Sequence, residues 1–310
     1  MPAKYIILGE HAVVYGQPAL AAPLHSLTST ATVIPHNSHI KRGLSVHAPD
    51  INLSDYHRNL PIHSPLSNII FGTLRALSYN KDIEANITIT SAIPMQSGLG
   101  SSASISTAIA KSLTAYLGYK LTNNDISNIV YKTEGLQHGN PSGIDNLVVA
   151  HATPILFSKS IPPTYLTPSK PLHYVLAHSG EQSKTRDTVQ LIATQRISNP
   201  QFNSTMNKIG HLSVKGADAF AIGDSDSLGA LMTKNHNLLQ QLCVSSHRLD
   251  LLVTAAIEAG ASGAKLSGAG RGGHIVAQVT ESTTAYVVTA LKKLGANPFI
   301  TTITPQLHEH

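Results

Sequence analysis

The chain has 310 residues, of which 42% are hydrophobic and 13% are charged, and it carries a net charge of +5. A single hydrophobic core rarely organises more than roughly 250 to 300 residues, so two domains are expected. Proteins that bind nucleic acids cluster Lys and Arg with stacking aromatic side chains. Here the basic residues are scattered, Trp is absent and aromatic residues make up 5%. This composition argues against a nucleic-acid partner and favours a small anionic ligand.

The sequence offers neither an internal disulfide nor a targeting segment. Its one cysteine, Cys243, has no second thiol to pair with, which is usual in a reducing compartment. The N-terminal stretch "MPAKYIILGEHAVVYG" has too short an apolar run before Glu10 to act as a signal or to span a bilayer. We therefore predict a cytoplasmic protein that does not associate with membranes.

Hydrophobic patterning predicts several elements in the first half of the chain. Two short strands are expected over residues 4–8 ("KYIIL") and 12–15 ("AVVY"), and a third in "EANITITSA". Apolar residues recur every four positions from Ile105 to Leu117 and predict a helix from about Ser102 to Leu117. A second helix is predicted from Asn123 to Gly135, with Thr122 or Asn123 as its N-cap.

The stretch "SKSIPPTYLTPSKP", residues 158–171, carries four prolines and predicts a linker or an edge segment. We place a domain boundary here, between domains of residues 1–165 and 166–310. Beyond it, strands are predicted in "LHYVLAHSG", "HIVAQVT" and "FITTITP", and helices over residues 203–222, 226–260 and 282–294. Strands and helices without a regular βαβ alternation favour α+β architecture in both halves.

The stretch "PMQSGLGSSAS" places a Gly-Ser loop between a predicted strand and a predicted helix. Such a loop aims free backbone N–H groups and the positive end of the helix dipole at one point, which suits a phosphate, although a plain turn with a serine cap has the same pattern. A P-loop is excluded because no Lys follows Gly100, and a dinucleotide fingerprint matches poorly because position 120 is Lys120.

Two acidic residues follow this loop in the segment "TEGLQHGNPSGIDN". Glu134 lies near the end of a predicted helix, where the dipole disfavours a carboxylate unless a cation is near. Asp145 follows a strong turn signal in "NPSG". Each acid alone is more often a solvated or capping residue. Together with a phosphate loop they suit phosphoryl transfer, in which one carboxylate holds Mg²⁺ and another orients the attacking hydroxyl.

Four segments resemble the superfamily of galactokinase, homoserine kinase, mevalonate kinase and phosphomevalonate kinase. They occur in the superfamily's order: "KYIILGEHAVVYG", "PMQSGLGSSAS", "HGNPSGIDN" and "KLSGAGRGG". The third segment is most similar to that of the mevalonate kinases. The sequence departs from the usual pattern at Ala3, where a glycine is common, and at Arg271, which replaces a glycine. Neither departure removes a catalytic side chain.

The resemblance implies a kinase that transfers the γ-phosphoryl group of ATP to the primary hydroxyl of mevalonate, with Mg²⁺ as cofactor. Asp145 would be the catalytic base and Lys4 would hold it ionised. Ser102 and Glu134 would ligate Mg²⁺, and Glu10, His11 and Thr185 would bind mevalonate. The residues implied in ATP binding are Lys4, Ser91, Gln96, Ser97, Gly98, Leu99, Gly100, Ser101 and Ser102.

The implied fold is α+β in two domains, the first like domain 2 of ribosomal protein S5 and the second ferredoxin-like, with the active site in the cleft between them. Two alternatives remain open. One is another kinase of the superfamily, acting on phosphomevalonate or on the tertiary hydroxyl of mevalonate, and the other is a catalytically silent ligand sensor. The expected partners are small molecules, and the sequence leaves the oligomeric state open, with a homodimer as one option.

Overall fold

The computed structural model describes residues 1–36, 43–95, 97–138, 141–182 and 185–305. The chain divides into two compact units, each assembled from separate stretches of sequence. The first unit comprises Met1–Lys4, Pro23–Met95 and Gly100–Ala152, and the second comprises Tyr5–Ala22, Gln96–Leu99 and Thr153–His310. The predicted domain boundary near residue 165 stays a prediction about which parts of the chain fold independently.

In the described part of the first unit, a mixed sheet is accompanied by four α-helices. Its strands are β2 (Ala19–Pro35, from Pro23 onward), β3 (Ser45–Ala48), β4 (Leu53–Tyr56) and β5 (Ala85–Ser91), in the order β4-β3-β5-β2. Its helices are α1 (Pro65–Ala76), α2 (Ser101–Tyr116), α3 (Asn123–His138) and α4 (Ile144–His151). Alternating residues Ala85, Ile87 and Ile89 of β5 are buried with Ile109 and Leu113 of α2, so one face of the sheet and the apolar stripe of the helix share a core.

The second unit is built on an antiparallel sheet with the order β11-β8-β10-β9. Its strands are β8 (Leu172–His178), β9 (Gly263–Ser267), β10 (His274–Val279) and β11 (Asn297–Ile303). Between β8 and β9 the chain forms α5 (Thr185–Ser198), α6 (Phe202–Ile222), α7 (Ser225–Gln241) and α8 (His247–Glu258). Between β10 and β11 it forms α9 (Glu281–Lys293). This is the strand order of a ferredoxin-like fold. The unit also contains β6 (Ile155–Ser158) and β7 (Ile161–Tyr165), which pair with each other.

One strand, β1 (Pro2–Leu8), carries the first motif, and all seven of its residues are buried. Lys4 belongs to the stretch of this strand in the first unit, whereas Tyr5 and the residues after it belong to the second. This buried strand therefore contributes residues to both units.

Most of the predicted elements are confirmed. The α+β class, the strands in "KYIIL", "EANITITSA", "LHYVLAHSG", "HIVAQVT" and "FITTITP", and the start of α3 are all observed. The Thr122 hydroxyl accepts from the Asp125 N–H and the Asp125 carboxylate accepts from the Thr122 N–H, which caps α3. The Pro-rich segment forms β7, at the edge of its sheet and mostly exposed, as expected for a strand with prolines.

Three predictions were wrong. The segment "AVVY" is a 3₁₀ helix, Ala12–Tyr15, because it is flanked by left-handed residues, His11 with a φ of 60° and Gly16 with a φ of 84°. Residues 226–260 form two helices, which are separated where Cys243 turns left-handed and Ser246 caps α8. Helix α3 also continues past Gly135 to His138. The β9 strand was missed, because its five residues are all buried and run directly into the glycines of the fourth motif.

Within the described ranges, no helix combines the length and the apolar character that crossing a bilayer requires.

Candidate active site

The catalytic pair implied by the sequence is formed in the first unit. Lys4, on β1, places its Nζ atom 3.1 Å from Oδ1 of Asp145. Asp145 lies in the first turn of α4, two residues after Gly143, the N-cap, which has a φ of 90°. A carboxylate in the first turn is stabilised by the free N–H groups of the helix start. Lys4 is buried, whereas the Asp145 side chain is 35% exposed, so the carboxylate remains accessible to a small acceptor.

Gly100 brings the phosphate loop against this pair. Its φ is 73°, and a Cβ atom added there would lie 2.8 Å from Cγ and 3.3 Å from Cε of Lys4. Glycine is required here for two reasons, since a side chain is disfavoured by the left-handed backbone and would collide with the lysine stem. The start of α2 and the amino group of Lys4 are therefore held next to each other.

Helix α2 begins with free backbone donors. Gly100 is its N-cap, and among the described residues no side chain caps the first turn. The Ser104 N–H makes the first intrahelical hydrogen bond, to the Gly100 carbonyl. The N–H groups of the three residues between them therefore have no acceptor within the helix. These donors and the positive end of the helix dipole form an arrangement that binds phosphate.

Ser102 and Glu134, the two implied magnesium ligands, are in contact. The Ser102 hydroxyl donates to Oε1 of Glu134 over 2.5 Å, which joins the first turn of α2 to a late turn of α3. Glu134 is 9% exposed. Both are hard oxygen donors, and the described residues contain no cluster of three or more His, Cys, Asp or Glu that could hold a metal. This fits Mg²⁺, which is commonly held by one or two protein oxygens together with substrate phosphates.

The other implied ATP contacts lie in two places. Ser91 ends β5 in the first unit, where its hydroxyl bonds to that of Ser29 over 2.9 Å. Ser97, Gly98 and Leu99 belong to the second unit, where Ser97 and Leu99 are buried. A Cβ atom on Gly98 would lie 3.8 Å from Cα of Gly268, so the glycines of the second and fourth motifs meet. Gln96 lies outside the described residues.

Glu10, implied in substrate binding, is held in a buried ion pair. It is 1% exposed, and its Oε1 accepts from Nζ of Lys265, which is fully buried on β9. Its second oxygen, Oε2, lies 3.5 Å from the donating Nδ2 of Asn235 on α7. Burial lowers the pKa of Lys265, and the charge of Glu10 opposes that shift. The role of Glu10 towards a substrate stays a prediction.

His11 contacts the fourth motif. Its Nε2 lies 2.9 Å from the carbonyl oxygen of Ala269, and a carbonyl can only accept, so Nε2 carries the proton. Desolvation by the surrounding protein lowers the pKa of His11 to about 4, although the hydrogen bond to Ala269 opposes the shift. The imidazole is therefore neutral at pH 7, which leaves Nδ1 unprotonated and able to accept a hydrogen bond.

Two further positions named from the sequence lie on the surface of the second unit. Thr185 is the first residue of α5 and is exposed. Arg271 is exposed, has a φ of 52°, and its N–H bonds to the Val244 carbonyl over 2.7 Å. The substrate role of Thr185 stays a prediction.

The sequence interpretation missed the polar residues that surround Glu10. Lys265 was quoted in the fourth motif without a role, and His236 was not singled out. His236 accepts from the Leu266 N–H at Nδ1 and bonds Asp250 through Nε2, over 3.3 and 3.1 Å. A lysine inside the otherwise apolar "GAKLS" was the available signal, because a buried strand carries a lysine only when it has a partner.

Comparison with known proteins gives consistent matches. The family described as GHMP kinases N terminal domain matches residues 68–152, and the family described as GHMP kinases C terminal matches residues 217–297. The mevalonate kinase of Thermococcus sibiricus is 32% identical over 97% of this chain and 94% of the relative.

Solved structures agree. The structure of L. major mevalonate kinase in complex with R-mevalonate has a TM-score of 0.81 at 26% identity, covering 98% of this chain and 95% of the other. The mevalonate kinase of Methanococcus jannaschii has a TM-score of 0.84 at 26% identity, covering 98% and 97%. The similarity in both sequence and structure thus extends over nearly the whole chain.

Proposed function

Because this chain belongs to the mevalonate kinase family, within the GHMP kinases, we propose that it transfers the γ-phosphoryl group of ATP to the primary hydroxyl of mevalonate. In this reaction a bond forms between the hydroxyl oxygen and the γ-phosphorus, and the bond from that phosphorus to ADP breaks. The hydroxyl proton passes to a base on the protein. Phosphoryl transfer has a loose transition state, so the protein contributes mainly alignment and opposing charge.

The contact between Lys4 and Asp145 is the observation that carries this proposal. A carboxylate 3.1 Å from an ammonium group and 35% exposed can accept a hydrogen bond from an acceptor hydroxyl and then its proton. Lys4 adds positive charge where negative charge develops on the transferring phosphoryl oxygens. The sensor alternative does not account for this pair, because ligand binding alone does not require a base beside a lysine.

The proposed ATP site is the start of α2. Its uncapped N–H groups would receive the phosphates, and Gly100 keeps that region free of side chains. Ser102 and Glu134 would hold Mg²⁺, which neutralises phosphate charge when bound. We further propose that the reaction depends on Mg²⁺ and takes place in the cytoplasm.

The proposed acceptor site involves Glu10, His11 and Thr185. The support for it is chemical, since an unprotonated Nδ1 on His11 can accept from a hydroxyl group of the substrate. A phosphorylated acceptor would require additional cations in the site, and the motifs supply no dedicated cluster of them.

A substrate panel tests the function directly. ADP release is measured with mevalonate, 5-phosphomevalonate and galactose offered separately, each with ATP and Mg²⁺. We expect release with mevalonate alone, and the product should carry its phosphate on the primary oxygen, as phosphorus NMR can establish. Release with 5-phosphomevalonate and none with mevalonate would instead identify another kinase of the superfamily.

A further inference from the structure

Three contacts join β1 and the turn after it to β9 and the loop that follows. The Ser267 hydroxyl accepts from the Ile6 N–H and donates to the Ile6 carbonyl, both over 3.1 Å. Glu10 pairs with Lys265, and His11 donates to the Ala269 carbonyl over 2.9 Å. Three residues of the first motif are thus each fixed to a residue of the fourth.

Lys265 makes the strongest of these contacts. Its Nζ bonds Glu10 and also donates to the Leu266 carbonyl over 2.5 Å, and both charged side chains are shielded from water. In a buried, low-dielectric environment a charge pair with additional hydrogen bonds has one favoured geometry, and neither member can leave alone without exposing an unpaired charge. The position of Glu10 therefore determines where the turn of Gly9–His11 lies.

Local backbone bonds also shape that turn, because the carbonyls of its three residues accept from the N–H groups of the 3₁₀ helix that follows. Gly9 has a φ of 104° and His11 a φ of 60°, so two of its three residues adopt the left-handed region. A histidine in this region is strained and stays there only when its surroundings hold it. Among the contacts that hold the turn to the fourth motif are the bond of His11 to the Ala269 carbonyl and the pair of Glu10 with Lys265.

We propose that Lys265 is a positioning residue of the kinase reaction: through Glu10 it holds the Gly9–His11 turn in the conformation that binds the acceptor substrate. This inference rests on the proposed function for the identity of the acceptor. Lys265 itself is fully buried and acts through Glu10 and His11.

Two variants separate positioning from simple charge balance. Lys265→Met keeps most of the length of the side chain and removes the donor, whereas Lys265→Gln is neutral but keeps an amide donor for Glu10. We expect Lys265→Met to raise the KM for mevalonate about tenfold and to leave the KM for ATP within about twofold. Lys265→Gln should lie between this variant and the wild type.

Gln278→Met is the matched control. Gln278 is fully buried on β10, where its Nε2 donates to the His173 carbonyl and the Ser225 hydroxyl, each over 3.1 Å. This substitution also removes buried hydrogen bonds from the same sheet with little change in volume. We expect it to lower the melting temperature and to leave both KM values unchanged, since Gln278 contacts neither Glu10 nor His11.

The outcomes are distinguishable. A folded Lys265→Met protein with wild-type KM for mevalonate, or with both KM values raised equally, overturns the proposal. If Lys265→Met does not fold, a wild-type KM for mevalonate in Lys265→Gln overturns it as well. If the wild-type enzyme does not phosphorylate mevalonate, that result contradicts the proposed function instead.

A second readout requires no acceptor. Nitrogen-15 NMR of the imidazole of His11, assigned with the His11→Gln variant, reports which ring nitrogen carries the proton. We expect the Nε2–H form in the wild type and in Gln278→Met, and a changed signal in the two Lys265 variants. An unchanged His11 signal in a folded Lys265→Met protein shows that the lysine does not hold the turn.

Discussion

Two lysine–carboxylate pairs in this chain use the same chemistry in different surroundings. Lys4 and Asp145 lie 3.1 Å apart, with side chains that are 5% and 35% exposed. Lys265 and Glu10 are in contact with exposures of 0% and 1%. The carboxylate of the first pair is open to solvent, whereas both members of the second pair are shielded from it.

The difference shows that burial, more than residue type, determines what such a pair can do. A partly exposed pair contributes up to about 1 kcal/mol to stability and can exchange its proton with a ligand. A buried pair is not a reliable source of net stability, but removal of one partner costs about 3–5 kcal/mol. We therefore expect substitutions at the first pair to affect turnover, and substitutions around the second to affect folding, the pH dependence of stability and the KM for the acceptor.

The largest effect is expected for Asp145→Asn. Asparagine keeps the shape of the side chain and cannot take the proton of the attacking hydroxyl, so kcat should fall about 10³-fold. The unfolding free energy should change by less than about 1 kcal/mol, because the carboxylate is partly exposed. Steady-state kinetics and chemical denaturation measure the two quantities.

Asp125→Asn is the control for this prediction. Asp125 is exposed in the first turn of α3, and its substitution makes the same formal change of charge. It should leave kcat within about twofold of the wild type. Near-normal turnover in Asp145→Asn would remove Asp145 from the mechanism and with it the contrast between the two pairs.

His236, whose pKa is influenced by the charge of Lys265, should make the free energy of unfolding depend on pH. Burial lowers the pKa of His236 to about 4, with the Lys265 charge adding to the shift and Asp250 opposing it. An unfolded histidine titrates near 6.5, so the unfolded chain binds more protons between these values, and stability falls as the pH drops from about 6.5 to about 4. His236 should account for about 3 kcal/mol of that loss.

His236→Gln tests this value, since glutamine can still donate to Asp250 but does not titrate. Its unfolding free energy should fall by about 3 kcal/mol less than that of the wild type between pH 7 and pH 4. His63→Gln, at an exposed histidine, should give a curve parallel to the wild type. A His236→Gln curve that is also parallel would show that this histidine is not held neutral by its surroundings.

Gly100→Ala should disturb the pair of Lys4 and Asp145 by displacing the lysine side chain. The added Cβ would lie 2.8 Å from Cγ of Lys4, so the lysine stem must move. A displacement of that size beside the reacting atoms should lower kcat about 10²-fold. The left-handed backbone should also cost about 1 kcal/mol of stability.

Gly118→Ala separates these two costs. Gly118 has a φ of 77°, similar to the 73° of Gly100, but a Cβ there meets nothing within 4 Å. It should lose a similar stability and keep normal turnover. Equal loss of turnover in both variants would attribute the effect to folding and not to Lys4.

The smallest effect concerns the contact of Ser102 and Glu134. Glu134→Gln keeps an oxygen but removes the charge, so the Mg²⁺ concentration for half-maximal activity should rise about tenfold. Glu258→Gln, at an exposed residue of α8, should leave the titration unchanged. A wild-type Mg²⁺ titration in Glu134→Gln would contradict the proposed ligation.

The elements that sequence reasoning predicted well are those with a clear local signal. Helix α2 follows from an apolar residue at every fourth position, and β5 from simple alternation. The "AVVY" segment fails because β-branched residues favour a strand only when the flanking backbone permits one, and left-handed residues on both sides close it into a 3₁₀ turn.

The residues of the candidate site also divide into those with a local signal in the sequence and those without one. Asp145 and Glu134 could be selected from chain chemistry and from the resemblance, but the pairing of Lys4 with Asp145 joins residues far apart in sequence and has no local signature. The lysine in "GAKLS" could have been recognised as needing a partner only if β9 had been predicted as a buried strand, and the partner itself is far away in sequence.

The long sequence separation of the contacts between the first and fourth motifs has a consequence for synthesis. Glu10 and Lys265 are 255 positions apart, and Ile6 and Ser267 are 261 apart. At translation rates of about 5–20 residues per second, the ribosome makes the acid roughly 13–50 s before its lysine. Throughout that interval the nascent chain keeps Glu10 charged and hydrated, so β1 can reach its final buried state only after most of the polypeptide has emerged.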